Sequence, residues 1–120
     1  MKRLLLALFL TAVMVSSVNA QSTLALQEKC AEGAKKYVSE AYAKFEIAYS
    51  YHYNKKLDKC FVKIIHFVFG SPNWVEVVNV FENIGIGLYS PPPKPFCNVE
   101  GIECGSPDEF EILIKPYMED

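Results

Sequence analysis

The chain has 120 residues, about half of them apolar, with 8 Phe, 7 Tyr and 1 Trp and a formal net charge of −2. That composition excludes a disordered chain. With Arg3 as its only arginine and a slight acidic excess, it also excludes the basic, Arg-rich face that nucleic-acid binding requires.

Residues 1–20, MKRLLLALFLTAVMVSSVNA, open with Lys2 and Arg3 and run apolar from Leu4 to Val15, interrupted only by Thr11. Val18 and Ala20 then sit three and one residues before a cleavage point. This is the pattern of a secretory signal peptide. The apolar run, about a dozen residues, falls short of the roughly 20 that a membrane span needs. Gln21 follows the cleavage point, where lipid attachment would need a cysteine. The expectation is export to the periplasm or the medium, not insertion as an integral membrane protein. Residues 21–120 have the length of one domain. They carry ten lysines and no arginine against fourteen acids, a net charge of −4. The charge is uneven, +3 over 21–64 and −7 over 65–120.

Residues 24–44 are predicted to be helical, because Cys30, Ala34, Tyr37, Ala41 and Phe45 recur at spacings of four, three, four and four. Glu32, Lys36, Glu40 and Lys44 form i,i+4 pairs on the solvated face. From Phe45 the period changes to two: Phe45, Ile47, Tyr49, Tyr51 and Tyr53 alternate with Glu46, Ala48, Ser50 and His52, as in a half-buried strand. Asn54 to Asp58 is polar and turn-prone. Phe61 to Phe69 is apolar on both faces and reads as a central strand. Trp74 to Glu82 alternates again, and Ile84 to Tyr89 is a shorter strand weakened by Gly85 and Gly87. Four prolines between Pro91 and Pro95 are expected to end the sheet as a stiff connector. Ser106-Pro107-Asp108-Glu109 is a capping box with proline at the first helical position. Phe110, Leu113, Ile114 and Tyr117 form the apolar face of that last helix, and Pro116 is expected to end or kink it. The order predicts an α+β fold: an N-terminal helix, a four-stranded antiparallel meander and a C-terminal helix, with one face of the sheet packed on the helices.

Four cysteines, Cys30, Cys60, Cys97 and Cys104, are an even number in an exported chain and imply structural disulfides, with three connectivities open by spacing alone. Cys97 and Cys104 bracket a short segment, CNVEGIEC, with Gly101 inside it. The expected pairs are Cys30–Cys60 and Cys97–Cys104, contributing on the order of 3–4 and 2–3 kcal/mol. No paired knuckles for zinc and no C-x-x-C motif are present.

Catalytic chemistry finds no constellation. The two histidines are His52 and His66. If the strands around Lys56 form a hairpin, His52 lies opposite Phe61, leaving His66 roughly 17 Å away, too far to share a metal or act as a dyad. Glu76 and Glu82 lie about 20 Å apart along their strand, too far for paired carboxylates. No catalytic residue, metal site or cofactor is assigned. The most distinctive stretch is Tyr49, Tyr51, His52, Tyr53, Lys55 and Lys56. Tyrosines in a row pack beneath a helix with their hydroxyls at its rim, or serve as a contact surface with an apolar body and a polar tip.

The segments CAEGAKK from Cys30, HYNKKLDKCFV from His52, FEN from Phe81, SPDEF from Ser106 and KPYME from Lys115 resemble a group of small exported bacterial proteins. The resemblance implies a bacterial exported protein with the same four cysteines and brings no activity, ligand or catalytic residue with it. The function expected from the chain is binding without catalysis, to a protein or a cell-envelope component through the tyrosine-rich strand and its basic hairpin tip. The alternative is an inhibitor of an extracellular hydrolase such as a lysozyme or protease, whose CNVEGIEC loop, with Glu100 and Glu103, enters the target cleft.

Overall fold

The computed structural model describes residues 23–120. The expected signal peptide, residues 1–20, lies outside the described residues. Residues 23–42 form helix α1. The strands are β1 (Ile47–Asn54), β2 (Lys59–Val68), β3 (Ser71–Asn79), β4 (Ile84–Ser90), β5 (Phe96–Val99) and β6 (Ile102–Glu103), and helix α2 is Pro107–Met118. The strands form one antiparallel sheet in sequence order.

The α+β class is as expected, but the sheet has six strands rather than four. The prolines end β4 without ending the sheet. Beyond them the CNVEGIEC segment folds into the β5–β6 hairpin, with Glu100 (φ 50°) and Gly101 (φ 84°) at its tip. Two consecutive left-handed residues match the right-handed twist of a hairpin, and glycine adopts that conformation without strain.

The helices do not share one face of the sheet. Alternate residues of β2 point opposite ways. Val62 and Ile64 pack with Ala34 and Val38 of α1. Phe61 packs with Phe110 and Ile114 of α2, together with Val77, Ile86 and Val99. The run from Phe61 onward is apolar on both faces because a helix covers each one. Gly87 is less a weakness than a seat for α2: a Cβ there would stand 3.1 Å from Val99 Cγ2 and 3.3 Å from Phe110 Cε2.

Asparagines shape three of the hairpins. Asn54 Oδ1 accepts the Leu57 N–H at 3.1 Å, Asn79 Oδ1 the Phe81 N–H at 3.1 Å, and Asn98 Oδ1 the Gly101 N–H at 2.9 Å. These are the local side-chain to backbone bonds that make asparagine a turn residue. Asn54 is only 1% exposed and does more. Its Nδ2 donates to Pro116 O (2.9 Å) and Tyr117 O (3.2 Å), tying the end of β1 to the last turn of α2. Pro116 lies inside the helix rather than ending it, with only Tyr117 and Met118 after it. The carbonyls of Pro116 and Tyr117 fall in the last turn, where no helical donor follows, and the Asn54 amide supplies one. At the other end of α2, Ser106 caps as expected: its Oγ accepts the Glu109 N–H at 3.1 Å, and Glu109 Oε2 reaches back to the Gly105 N–H at 2.9 Å.

Both expected disulfides form, Cys30–Cys60 joining α1 to β2 and Cys97–Cys104 closing the β5–β6 hairpin. The buried stripe of α1 runs through Cys30, Ala34, Val38 and the half-buried Tyr42, while Ala41 and Phe45 are exposed. The stripe thus drifts from the one expected, because the helix ends at Tyr42 and Phe45 belongs to the bend before β1.

Candidate functional site

β1 is an outer strand of the sheet, and among the described residues no strand lies beyond it. Backbone bonding sets what this edge offers. In an antiparallel ladder, alternate residues bond to the neighbouring strand and the others turn their N–H and C=O away. On the β1 side of β2, the Phe67 N–H donates to Glu46 O at 3.1 Å; on the far side, the Val80 N–H donates to Cys60 O at 2.9 Å. With the register Ile47 opposite His66 through Asn54 opposite Lys59, this phase has Ala48, Ser50 and His52 bonding β2. Ile47, Tyr49, Tyr51 and Tyr53 turn their peptide groups outward.

Natural sheets blunt such an edge with proline, a bulge, an inward charge or brevity. The opposite edge, β6, is two residues long. β1 is eight residues, IAYSYHYN, with no proline and no acid or lysine, and it pairs with β2 without a register break. The edge is long, regular and uncharged over its whole length.

The side chains divide by face. Tyr49 and Tyr51 lie on the α1 side but are 42% and 48% exposed, beyond the cover of the helix. Only Tyr53 packs as a tyrosine row beneath a helix should: it is buried with Cys30 and Cys60 against Phe81, and its hydroxyl donates to Asp58. That hydrogen bond, together with burial, pushes the Tyr53 phenol up to about 12. Its ring is therefore core rather than contact surface, a correction to its place in the expected surface. Its outward peptide group remains part of the edge.

His52 lies on the α2 side of β1, where its ring bonds the Asp120 carboxylate, which also accepts the Lys55 N–H at 3.2 Å. The bond from His52, then that from Lys55, holds the Asp120 carboxyl below its usual range. Lys55 and Lys56 are exposed at the hairpin tip. The structure thus brings Tyr49, Tyr51, His52, Lys55 and Lys56 to one rim and withdraws Tyr53.

A groove flanks β1 on each face. One, of about 530 Å³, lies between β1 and α2 and is lined by Ser50, Tyr51, His52, Lys63, Ile112 and Lys115 among others. Lys63 crosses its floor to Glu111 at 2.5 Å. The other, of about 410 Å³, lies between β1 and α1, lined by Leu24, Gln27, Glu28, Ala31, Tyr51, His52 and Tyr53. Tyr51 and His52 border both.

Two features escaped the sequence reading. Phe69 stands fully exposed at the β2–β3 tip with φ 50°, next to Gly70 at φ 78°. An aromatic residue in the left-handed region is strained, and the Phe-Gly pair carries a turn signal only in its glycine. The second is a polar cluster under the end of α1. His66, 4% exposed, stacks on Trp74 with centroids 3.3 Å apart and meets the Tyr42 ring edge-on. Glu76 Oε1 accepts the Tyr42 hydroxyl at 2.5 Å and lies 3.6 Å from His66 Nε2. Burial holds the His66 ring below its usual range despite the Glu76 carboxylate, and raises the Tyr42 hydroxyl, with Glu76 adding to the rise. The alternation of β2 put His66 on a buried face, but nothing in the sequence aligned it with Tyr42, Trp74 and Glu76, which come from α1 and β3.

His52 falls opposite Phe61 as expected, and His66 occupies a separate cluster. Among the described residues, no group of three or more His, Cys, Asp or Glu side chains is placed to hold a metal ion, and no helix is long and apolar enough to cross a membrane. Comparison with protein-family models, curated proteins and solved structures gives no match.

Proposed function

We propose that the protein is an exported binding module, without chemistry of its own, that receives an extended segment of another protein along β1. The observation that carries this reading is the edge left unpaired among the described residues: eight residues without a lysine, an acid or a proline, outward peptide groups at every second residue, and a groove on each face. Strand addition takes its affinity from main-chain hydrogen bonds and its specificity from pockets for alternate side chains. Tyr49 and Tyr51 supply broad apolar rings beside the added strand, and Lys55 and Lys56 present positive charge at one end of it. Two disulfides in so short a chain fit an oxidising compartment. Export itself, and kinship with the small exported bacterial proteins that the sequence resembles, belong to the same proposal.

The test is affinity capture from a periplasmic extract with the wild-type protein and Tyr51→Pro. In the free protein the Tyr51 N–H bonds nothing in the sheet, so proline is tolerated there as on any edge strand. It removes the central donor from the edge. Capture of a specific protein by the wild type, lost in Tyr51→Pro and weakened in Lys55→Ala/Lys56→Ala, is the expected result. Identical capture by all three proteins removes β1 as the contact surface.

A second reading rests on the β5–β6 hairpin. Its tip, Glu100-Gly101, is exposed and clamped by Cys97–Cys104 and by the Cys104 N–H donating to Cys97 O at 3.0 Å. A stiff acidic finger of that kind suits inhibition of an extracellular hydrolase. Titration against a panel of lysozymes and proteases tests it, and an absence of inhibition sets it aside.

A further inference from the structure

We propose that the last turn of α1 is an acid-released latch. With His66 neutral, Tyr42 closes over the ring and bonds Glu76; once His66 carries a proton, the turn lifts and lets water reach the charged ring.

A break in the ladder places His66. β2 and β3 hold register as far as Ile65 opposite Val75 and resume it at Phe67 opposite Pro72. Asn73 and Trp74 therefore oppose the single residue His66. This is a β-bulge, a device that re-aims side chains. The indole lies flat on the imidazole, with 3.3 Å between centroids and 6° between planes. Tyr42, the last residue of α1, covers the same ring edge-on at 4.6 Å.

The enclosed ring has little to receive a proton with. His66 Nε2 is buried and has no hydrogen-bond partner among the described residues. Glu76 Oε1, 3.6 Å away, is beyond hydrogen-bond reach and already accepts the Tyr42 hydroxyl at 2.5 Å. From β3, then, the Glu76 carboxylate faces the ring. From α1 it meets the Tyr42 phenol, with the Tyr37 ring behind that one and near the same carboxylate. From β1 the residue opposite is the apolar Ile47. Burial, with Glu76 adding to it, raises both phenols, so neither ionises near neutral pH. An imidazole takes up its proton in mild acid. A cation formed there loses more hydration to burial than Glu76 returns in attraction.

Tyr42 is the place where this site can open. Upstream, α1 is pinned by Cys30–Cys60 and by Ala34 and Val38 against Val62 and Ile64. Past Tyr42, residues 43–46 are exposed, and the Phe45 N–H turns back to Tyr42 O at 3.1 Å. A helix end of this kind opens at much lower cost than the packed middle. Protonation favours whichever state solvates the ring, so acid populates the lifted turn before the domain unfolds.

The test is residue-resolved amide hydrogen exchange of the wild type, His66→Phe and Tyr42→Phe between pH 7.5 and 5, corrected for the intrinsic pH dependence of exchange. In the wild type, protection of the Tyr42 and Phe45 amides is expected to fall below about pH 6.5 by up to tenfold per pH unit, the limit for one linked proton. These amides should stay less protected than those of Ala34 and Val38 and be insensitive to low urea, because a local opening exposes little surface. His66→Phe keeps a ring on Trp74 without a titrating group and is expected to abolish the pH slope. Tyr42→Phe deletes the bond to Glu76 and is expected to lower protection about tenfold at every pH while keeping the slope. Protection in the wild type that does not change with pH overturns the proposal, whether or not either variant folds. So does a slope that survives in His66→Phe, or Tyr42→Phe protected as well as wild type. Tyr42 and Phe45 amides that match Ala34 and Val38 in both pH and urea dependence overturn it too, since acid then acts only through global unfolding.

Discussion

Replacing Asn54 by alanine should destabilise the protein far more than a turn substitution usually does. The side chain makes three hydrogen bonds, two from its amide to Pro116 O and Tyr117 O and one from the Leu57 N–H to its carbonyl. Removing it leaves two carbonyls in the last turn of α2 without a protein donor. A net hydrogen bond is worth about 1 kcal/mol, and an abandoned buried group costs roughly 1–3. The Leu57 N–H lies in an exposed turn, where water replaces part of the loss. The expected cost is therefore about 3 kcal/mol, or a fall in Tm on the order of 10–20 °C for a domain of this size. Urea denaturation of the disulfide-intact protein, followed by circular dichroism, measures it. Asn54→Asp provides a sharper control. It keeps the acceptor for Leu57 but sets a carboxylate against two carbonyl oxygens, so its folded-state pKa must rise above the unfolded value. That variant should gain stability relative to wild type as the pH falls through the carboxylate range. A cost below about 1 kcal/mol for Asn54→Ala, with no acid recovery in Asn54→Asp, would show that Asn54 does not anchor α2.

The remaining predictions concern the staples and the buried histidine. Cys30→Ala/Cys60→Ala, which opens a 30-residue loop, should cost about 3–4 kcal/mol in denaturant titration and loosen α1. Cys97→Ala/Cys104→Ala, with a loop of 7, should cost roughly 2–3 kcal/mol. Equal losses would contradict the loop-closure account. Burial holds the folded-state His66 ring below its usual range, so as the pH falls the unfolded chain takes up the proton first. Folding stability should therefore be fully present above about pH 6.5 and decline below it. It should level off once the folded ring is also charged. Denaturation at pH 7.5 and pH 5 should show this slope in wild type and about one proton less of it in His66→Phe, with Trp74 emission as the local reporter. An unchanged slope would contradict the assignment to His66.

Periodicity made most of this fold legible, and the misses have specific causes. The switch from a period near 3.6 to a period of two located α1 and β1, and the doubly apolar run from Phe61 located the central strand. The Ser106 cap was visible because it is local chemistry. β5 and β6 were missed because they are four and two residues long, too short for alternation to register, and follow prolines that do interrupt pairing. The split of the helices between two faces was written in the apolar run of β2, which needs cover on both sides. The order of elements alone does not say so. Pro116 does not end α2, which runs two residues past it, and the carbonyls there take their donor from Asn54, sixty-two residues away in sequence, a contact no local pattern shows. The tyrosine row was found as a row, but its division into a buried Tyr53 and the exposed Tyr49 and Tyr51 depends on where α1 crosses the sheet. The edge itself was hidden, because strand order is a property of the whole sheet.

Residue-resolved amide hydrogen exchange tests the place of β1 most directly. In dilute monomer, the Ala48, Ser50 and His52 amides, bonded to β2, should exchange slowly, while those of Tyr49 and Tyr51 should exchange rapidly. On association with a captured segment, Tyr49 and Tyr51 should become protected by at least tenfold. Protection of these two amides already in the monomer, or none gained on association, would contradict the view of β1 as the surface through which this protein binds.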